Sequence, residues 1–276
     1  MTWQPEVEEL ERRRAFAHQM GGPEAIARQH EQGKLTVRER IDALADPGSF
    51  HEFGDLIGHA SYEDGKLVAF RPKASVEGFC RLDGRNVIVS GGDFTVRGGS
   101  GGGREGGMGM EPSASRRACE WRIPYIRLLD AAGGSVRAFA ELGRTYLPDG
   151  NAWSSLEVEL LSAVPVVSAV LGSVAGLPAV NACIAHFNVM VRGTSQLFPG
   201  GPPVVQAALG YAISKEDLGG AQIHGALSGV VDNVVESEED ALATIRRFLS
   251  YLPSNVWEPA PRGARDDPER RDEKLL

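Results

Sequence analysis

The chain has 276 residues, 42% of them hydrophobic and 24% charged, with 34 Gly and 16 Pro, which suits one large globular domain or two small ones rather than a disordered tract. Lys and Arg total 29 against 37 Asp and Glu, a formal charge of −8, and this acidic balance argues against nucleic acid or any other broad polyanion as partner. Cys80, Cys119 and Cys183 lie far apart with no CxxC pair, so neither a disulfide framework nor a thiolate metal site is indicated, and a reducing, cytoplasmic setting is expected.

Met1 to Arg14 is polar and lacks the apolar core of a secretory signal, so export is not expected. Over residues 6 to 46 apolar side chains recur at helical spacing (Val7, Leu10, Phe16, Met20, then Ile26, Val37, Ile41, Leu44), with breaks at Gly21-Gly22-Pro23 and Gly33. This predicts two or three helices in an amino-terminal arm, residues 1–46. Thr36 followed three residues later by Glu39 is a capping box, which starts a helix at Val37 and carries it to about Ala45.

Beyond Pro47-Gly48 the texture changes. Leu67 to Phe70, Ala74 to Phe79 and Asn86 to Ser90 read as strands, with an Asp83-Gly84 turn between the last two. From Ser113 onward helical segments (Ser115 to Trp121, Val136 to Leu142, Asn151 to Leu161) alternate with apolar runs (Tyr125 to Leu129, Val164 to Leu171, Asn188 to Arg192). That alternation predicts a layered α/β domain over residues 47–253. Leu160 to Val174 is the most apolar stretch; it is shorter than the roughly 20 residues of a membrane helix, and with Pro165 and Gly172 inside it reads as a buried strand, so no membrane partner is expected. Glu238 to Leu252 is a final amphipathic helix, and residues 254–276 form a charged linker or tail. Gly98 to Gly109 reads as a mobile loop unless a ligand or neighbour orders it.

Catalytic side-chain signatures are absent: no GxSxG, no HExxH, no Walker loop, and no His pair at metal-ligand spacing. Of the six His, His224 is of most interest, because it follows the turn Leu218-Gly219-Gly220-Ala221. Glycines at the ends of apolar runs are the positive signal: Tyr125 to Leu129 leads into Gly133-Gly134, and Val164 to Leu171 into Gly172 and Gly176-Leu177-Pro178. A Gly turn after a buried strand lets main-chain N–H groups face a cleft and hold an oxyanion; tight helix-strand packing is the alternative. Phe198-Pro199-Gly200-Gly201-Pro202-Pro203 is a rigid turn that shapes either a pocket wall or a structural corner.

The ordered run Arg28-Gln29-His30, Gly33 to Ile41, Leu44, Asp46 and Pro47-Gly48-Ser49-Phe50 resembles the amino-terminal signature of the carboxyltransferase (beta) subunits of biotin-dependent acyl-CoA carboxylases. Asp93 to Ser100 is similar to that family's D-x-T-V-x-G-G-[ST] strand and loop. Gly200 to Val205, Glu216 to Ala221 with His224, and Ser228-Gly229-Val230 look most like its methylcrotonyl-CoA and geranyl-CoA branch. The resemblance implies an α/β crotonase-like (ClpP/crotonase) superhelix of ββα units. It also implies transfer of a carboxyl group from carboxybiotin to an acyl-CoA through enolates held by backbone amides.

By motif position, Gly176 and Leu177 match the family's A-G-G amide pair, and Gly133 and Gly134 match the Gly pair of D-S-G-G-A. The sequence departs at both: the first loop is one residue longer before its Arg, and Leu177-Pro178 replaces the second Gly, with Pro178 expected to hold Leu177 extended. For coenzyme A the candidates are Lys34, Arg38, Arg97 and Arg104 on the phosphates, with Gly98, Gly99 and Gly201 shaping the site. Family members carry a second crotonase-like domain. The implied partners are therefore a carboxy-terminal-half carboxyltransferase chain and a biotin carboxylase/biotin carrier subunit in a hetero-oligomer; a chain shortened from a longer parent is the other explanation. Two other readings stay open. One is a biotin-independent CoA hydratase or decarboxylase using Glu141, Glu157, Asp149 or His186, and the other is a non-catalytic assembly subunit.

Overall fold

The computed structural model describes residues 2–100, 113–134 and 150–262. It opens with α1 (Gln4–His18), α2 (Pro23–Glu31), α3 (Val37–Leu44), β1 (His51–Phe53), β2 (Gly58–Glu63), β3 (Lys66–Pro72), β4 (Ser75–Leu82) and β5 (Arg85–Gly92). There follow α4 (Ala114–Trp121), β6 (Tyr125–Ala131), α5 (Gly150–Ala163), β7 (Val166–Ala175), α6 (Leu177–Cys183), β8 (Phe187–Val191) and β9 (Gln196–Phe198). The described chain closes with α7 (Pro202–Leu209), α8 (Lys215–Gly219), β10 (Asn233–Val235) and α9 (Glu238–Ser250). The expected helix Val136 to Leu142 and most of the Gly98–Gly109 loop lie outside the described residues.

Eight strands form one sheet in the order β1-β4-β5-β6-β7-β8-β10, with β9 beside β7. The β4–β5 hairpin turns through Asp83 (φ 50) and Gly84 (φ 78), the double positive φ of a type I′ turn. Both turn amides donate to the Asp46 carboxylate, at 2.9 and 2.8 Å. From β5 to β10 the pairings are parallel, and the central strands β6, β7 and β8 are mostly apolar because helices cover both faces. Val87, Val89, Ile126, Leu128, Val167 and Ala169 pack with α3 and α9. Their alternates Ile88, Tyr125 and Val166 pack with α4 and α5. This period of two separates the layers.

Two expectations change. α3, expected as part of the amino-terminal arm, packs into the central core, where Val37, Ile41 and Leu44 are buried with strand residues. Leu160 to Val174 is not one strand: α5 runs to Ala163, Pro165 breaks the chain, and β7 begins at Val166. Leu160 and Val164 join the same cluster as Val166, so hydrophobicity continues across a change of structure.

Arg40, on the buried face of α3, is fully enclosed. Its guanidinium donates to Asp130 Oδ2 of β6 at 3.2 Å, to the Leu171 carbonyl of β7 at 2.9 Å and to Glu238 of α9 at 2.6 and 2.7 Å. Lys34 Nζ (3.1 Å) and Gln29 Nε2 (3.0 Å) also reach Asp130 Oδ2. Burial pushes the Glu238 carboxyl upward against the pull of Arg40. The helix that delivers Arg40 starts at the capping box: Thr36 Oγ1 accepts from Glu39 N–H, and Glu39 accepts from Thr36 N–H at 2.7 Å. Thr36→Ala therefore costs about 1 kcal/mol, seen as a fall of about 2–4 °C in the thermal midpoint; an unchanged midpoint would contradict this account of the helix start.

Candidate functional site

Three glycine-bearing loops meet where β5, β6 and β7 end. After β5, the buried Asp93 accepts from Thr95 N–H at 3.0 Å, which turns the chain into Arg97–Gly99. Gly98 O accepts from Ala132 N–H at 2.8 Å, and Gly99 lies against the Asp130 carbonyl. After β6, Gly133 adopts φ +85, and a Cβ there would stand 2.7 Å from Ala175 O at the end of β7; no L side chain fits that conformation and that space. A Cβ on Gly176 would lie 3.7 Å from Gly133 Cα. The structure thus brings together Gly98, Gly99, Gly133 and Gly176, at the carboxyl ends of parallel strands where α/β folds place their ligands.

The amides of these loops are not equivalent. Gly176 N–H donates to Phe198 O at 3.2 Å, and Gly176 O accepts from Ala179 and Val180. Leu177 is the first residue of α6, not extended as Pro178 was expected to make it, and Pro178 follows in the first turn, where a missing N–H is tolerated. Of the expected Gly176–Leu177 pair, Leu177 N–H is the one without an acceptor inside its helix. The Leu177 side chain is 38% exposed. Gly134 is exposed with open space around it.

The basic candidates divide. Lys34 is buried, paired with Asp130 and 4.4 Å from the Phe94 ring centroid. Arg38 forms a bidentate pair with Glu52 at 2.8 and 3.1 Å. Arg97 is exposed beside Gly98; Arg104 lies outside the described residues. A cleft of about 310 Å³ opens next to Lys34, but Glu236, Glu238 and Glu239 line it, so it repels phosphate. Gly201 caps α7 and packs on the Phe198 ring. Sequence reading missed Lys215, whose Nζ lies 3.4 Å from Ser173 Oγ in β7; nothing local signals it, because the contact joins residues 42 apart in sequence.

The acid/base candidates have other partners. Glu157 pairs with Arg127 in the interior, and burial raises its pKa although Arg127 opposes the shift. Arg127 also donates to the Asn181 and Ile184 carbonyls, both at 2.7 Å. His186 Nδ1 accepts from Val166 N–H at 3.0 Å. His224 bridges Leu197 O (2.7 Å) and Ser228 Oγ (2.9 Å). Glu141 and Asp149 lie outside the described residues. Among the described residues no helix is long and apolar enough to cross a membrane.

A family model described as the carboxyl transferase domain matches residues 28–276. The chain is 36% identical over 286 residues to the propionyl-CoA carboxylase carboxyltransferase subunit of Haloferax mediterranei, an alignment covering 100% of this chain and 52% of that protein. It is 34% identical over 280 residues to methylmalonyl-CoA decarboxylase subunit alpha of Veillonella parvula, covering 99% and 53%. Among solved structures, the transcarboxylase 12S hexamer core with methylmalonyl-coenzyme A and methylmalonic acid bound superposes with a TM-score of 0.75 at 29% identity, over 95% of this chain and 50% of that one. The chain spans about half the length of the curated relatives it matches. The α/β crotonase-like architecture implied by the sequence motifs is the architecture found.

Gly133→Ala should cost at least about 1–2 kcal/mol in chemical denaturation, and Gly134→Ala under about 0.5 kcal/mol; equal costs would remove the close approach of the two loops. Asp93 supplies a pH test. Burial raises its pKa above 3.8, so the stability it contributes is full below that value and is lost as pH rises through the raised folded pKa. Asp93→Asn lacks that loss, and its thermal midpoint relative to wild type should rise between acidic and neutral pH. A constant difference would show that burial is not what perturbs this carboxyl.

Proposed function

The chain belongs to the carboxyl transferase domain family, and on that premise we propose that it is the amino-terminal half of an acyl-CoA carboxyltransferase. The convergence of the Gly98–Gly99, Gly133–Gly134 and Gly176–Leu177 loops carries the reading. Removing a proton α to a thioester places negative charge on the carbonyl oxygen. An N–H group already fixed at the edge of the sheet stabilises that charge with little reorganisation. Leu177 N–H from α6 and an amide of the Gly133–Gly134 loop are the proposed donors. The same cradle serves carboxylation and decarboxylation, which pass through the same acyl anion.

Biotin, carried by a partner subunit, would supply the activated carboxyl group. The fit of this chain to that chemistry is in what it offers: backbone donors rather than a nucleophile, with Glu157, His186 and His224 held in structural contacts. Proximity then carries much of the rate. A carboxy-terminal-half chain closes the cleft in this reading, supported by relatives about twice as long, and a biotin carboxylase/biotin carrier subunit completes the hetero-oligomer. Arg97, in the loop after β5, and Lys215, next to Ser173 of β7, are the proposed contacts for the coenzyme A phosphates. Lys34 and Arg38, held by carboxylates, leave that role. A cytoplasmic setting agrees with three free cysteines.

For the acyl group, the motifs resembling the methylcrotonyl-CoA and geranyl-CoA branch offer support by sequence alone. In the fold, Gly219 and His224 brace the Leu197 carbonyl of β9, which is a structural duty. We take the substrate to be a short acyl-CoA, as the names of the two relatives suggest. In a complex reconstituted with the complementary half and a biotinylated carrier, labelled bicarbonate should enter propionyl-CoA in preference to methylcrotonyl-CoA or geranyl-CoA. Leu177→Pro removes one N–H at a position that tolerates proline, and should lower turnover about 10²–10³-fold. Carboxyl transfer that is independent of biotin, or unaffected by this substitution, would defeat the proposal.

A further inference from the structure

We propose that Arg40 and Asp130 form a positioning device that sets the spacing between the two amide-bearing loops, an inference that rests on the reading of those amides as an anion cradle. β6 and β7 pair in register as far as Leu129 and Val170 and resume at Ala131 and Val174. Three residues of β7, Leu171 to Ser173, therefore stand against Asp130 alone. This bulge lies just upstream of both loops. A change of one residue in its length would slide Gly176 past Gly133 by about 3.3 Å, more than an oxyanion contact tolerates.

One guanidinium holds the bulge from both sides. Arg40 Nη2 donates to Leu171 O at 2.9 Å, and Nη1 and Nη2 each reach Asp130 Oδ2 at 3.2 Å. Gly172 makes room for the carboxylate, because a Cβ there would stand 2.0 Å from Asp130 Oδ1. Glu238 aims the fork with bonds at 2.6 and 2.7 Å. A buried ion cluster adds little net stability over apolar packing of equal volume, so what distinguishes this one is the place it occupies, at the single register shift between the strands that carry both loops. None of its groups belongs to the cradle; they act through the backbone. Lysine keeps the charge but lacks the planar fork needed to bond two strands at once.

The test uses the full 276-residue chain reconstituted with the complementary half, and two ligands in titration calorimetry: propionyl-CoA and its thioether analogue, in which a methylene replaces the thioester carbonyl. Wild type should prefer the thioester. Arg40→Lys should weaken thioester binding at least about tenfold, as expected for a misplaced donor, and leave thioether binding within about twofold. Retention of the preference by Arg40→Lys, or equal weakening of both ligands, overturns the positioning role and leaves the cradle reading intact. A wild-type chain with no preference overturns both. Should Arg40→Lys fail to fold, Glu238→Gln loosens the same fork while keeping its shape, and full retention of the preference in that variant also overturns the inference.

Discussion

Lys34 and Arg40 place two positive charges, and Asp130 and Glu238 two negative ones, in the buried interior beneath one cleft. None of the four could be there alone, since removing one partner from a buried pair leaves an uncompensated charge costing about 3–5 kcal/mol. The set therefore assembles as a unit. It joins the α2–α3 link, α3, the end of β6 and the start of α9, and Arg40 and Glu238 are 198 residues apart in sequence. The third and last helices of the described fold, α3 and α9, are tied to the middle of the sheet by electrostatics, with their hydrophobic packing against the strands doing the bulk of the burial. The charge cluster adds directional bonds between those helices and the strands, which apolar contact does not supply.

Local chemistry made part of this legible. Thr36 and Glu39 announce α3 because each satisfies an amide that the helix cannot. Asp83-Gly84 announces its hairpin because both residues tolerate positive φ. The parallel strands β6, β7 and β8 show as apolar runs because both faces are covered. Where two elements of different type are buried in one cluster, hydrophobicity stops being a guide, and only Pro165 marks the step from α5 to β7. β9 and β10, three residues each, are too short for any period to register. Arg40 was half legible: with Val37, Ile41 and Leu44 it occupies one helical face, so the pattern says it points inward but not that Asp130 and Glu238 wait there.

The glycines of the site were legible as a composition, and their meeting was not. Gly133 and Gly176 follow adjacent strands, but their contact depends on the bulge at Leu171–Ser173, and a bulge has no local signature beyond Gly172. The fate of each amide lay further from view. Gly176 N–H is taken by Phe198 O, an acceptor delivered by β9, which sequence reading did not find. The basic residues show the same limit, since a charge placed by a strand end or a helix packing against it, as at Lys34 and Lys215, has no spacing rule to betray it.

Substitution of Leu177-Pro178 for a second glycine raised the question whether an oxyanion hole survives. Under the proposed function, the hydrogen-bond pattern changes what such a hole would be made of. Gly176 N–H closes onto β9 and Pro178 has no N–H, so α6 contributes a single amide, that of Leu177. A side chain at position 177 does not obstruct its own N–H, and proline in the first turn removes only a donor that a helix start leaves unpaired anyway. A second donor then has to come from the Gly133–Gly134 loop on the neighbouring strand. A cradle built within one loop is set by that loop's own dihedrals. One built across two strands would be set by how the strands are registered, which is where the proposed role of the arginine that bonds both of them enters.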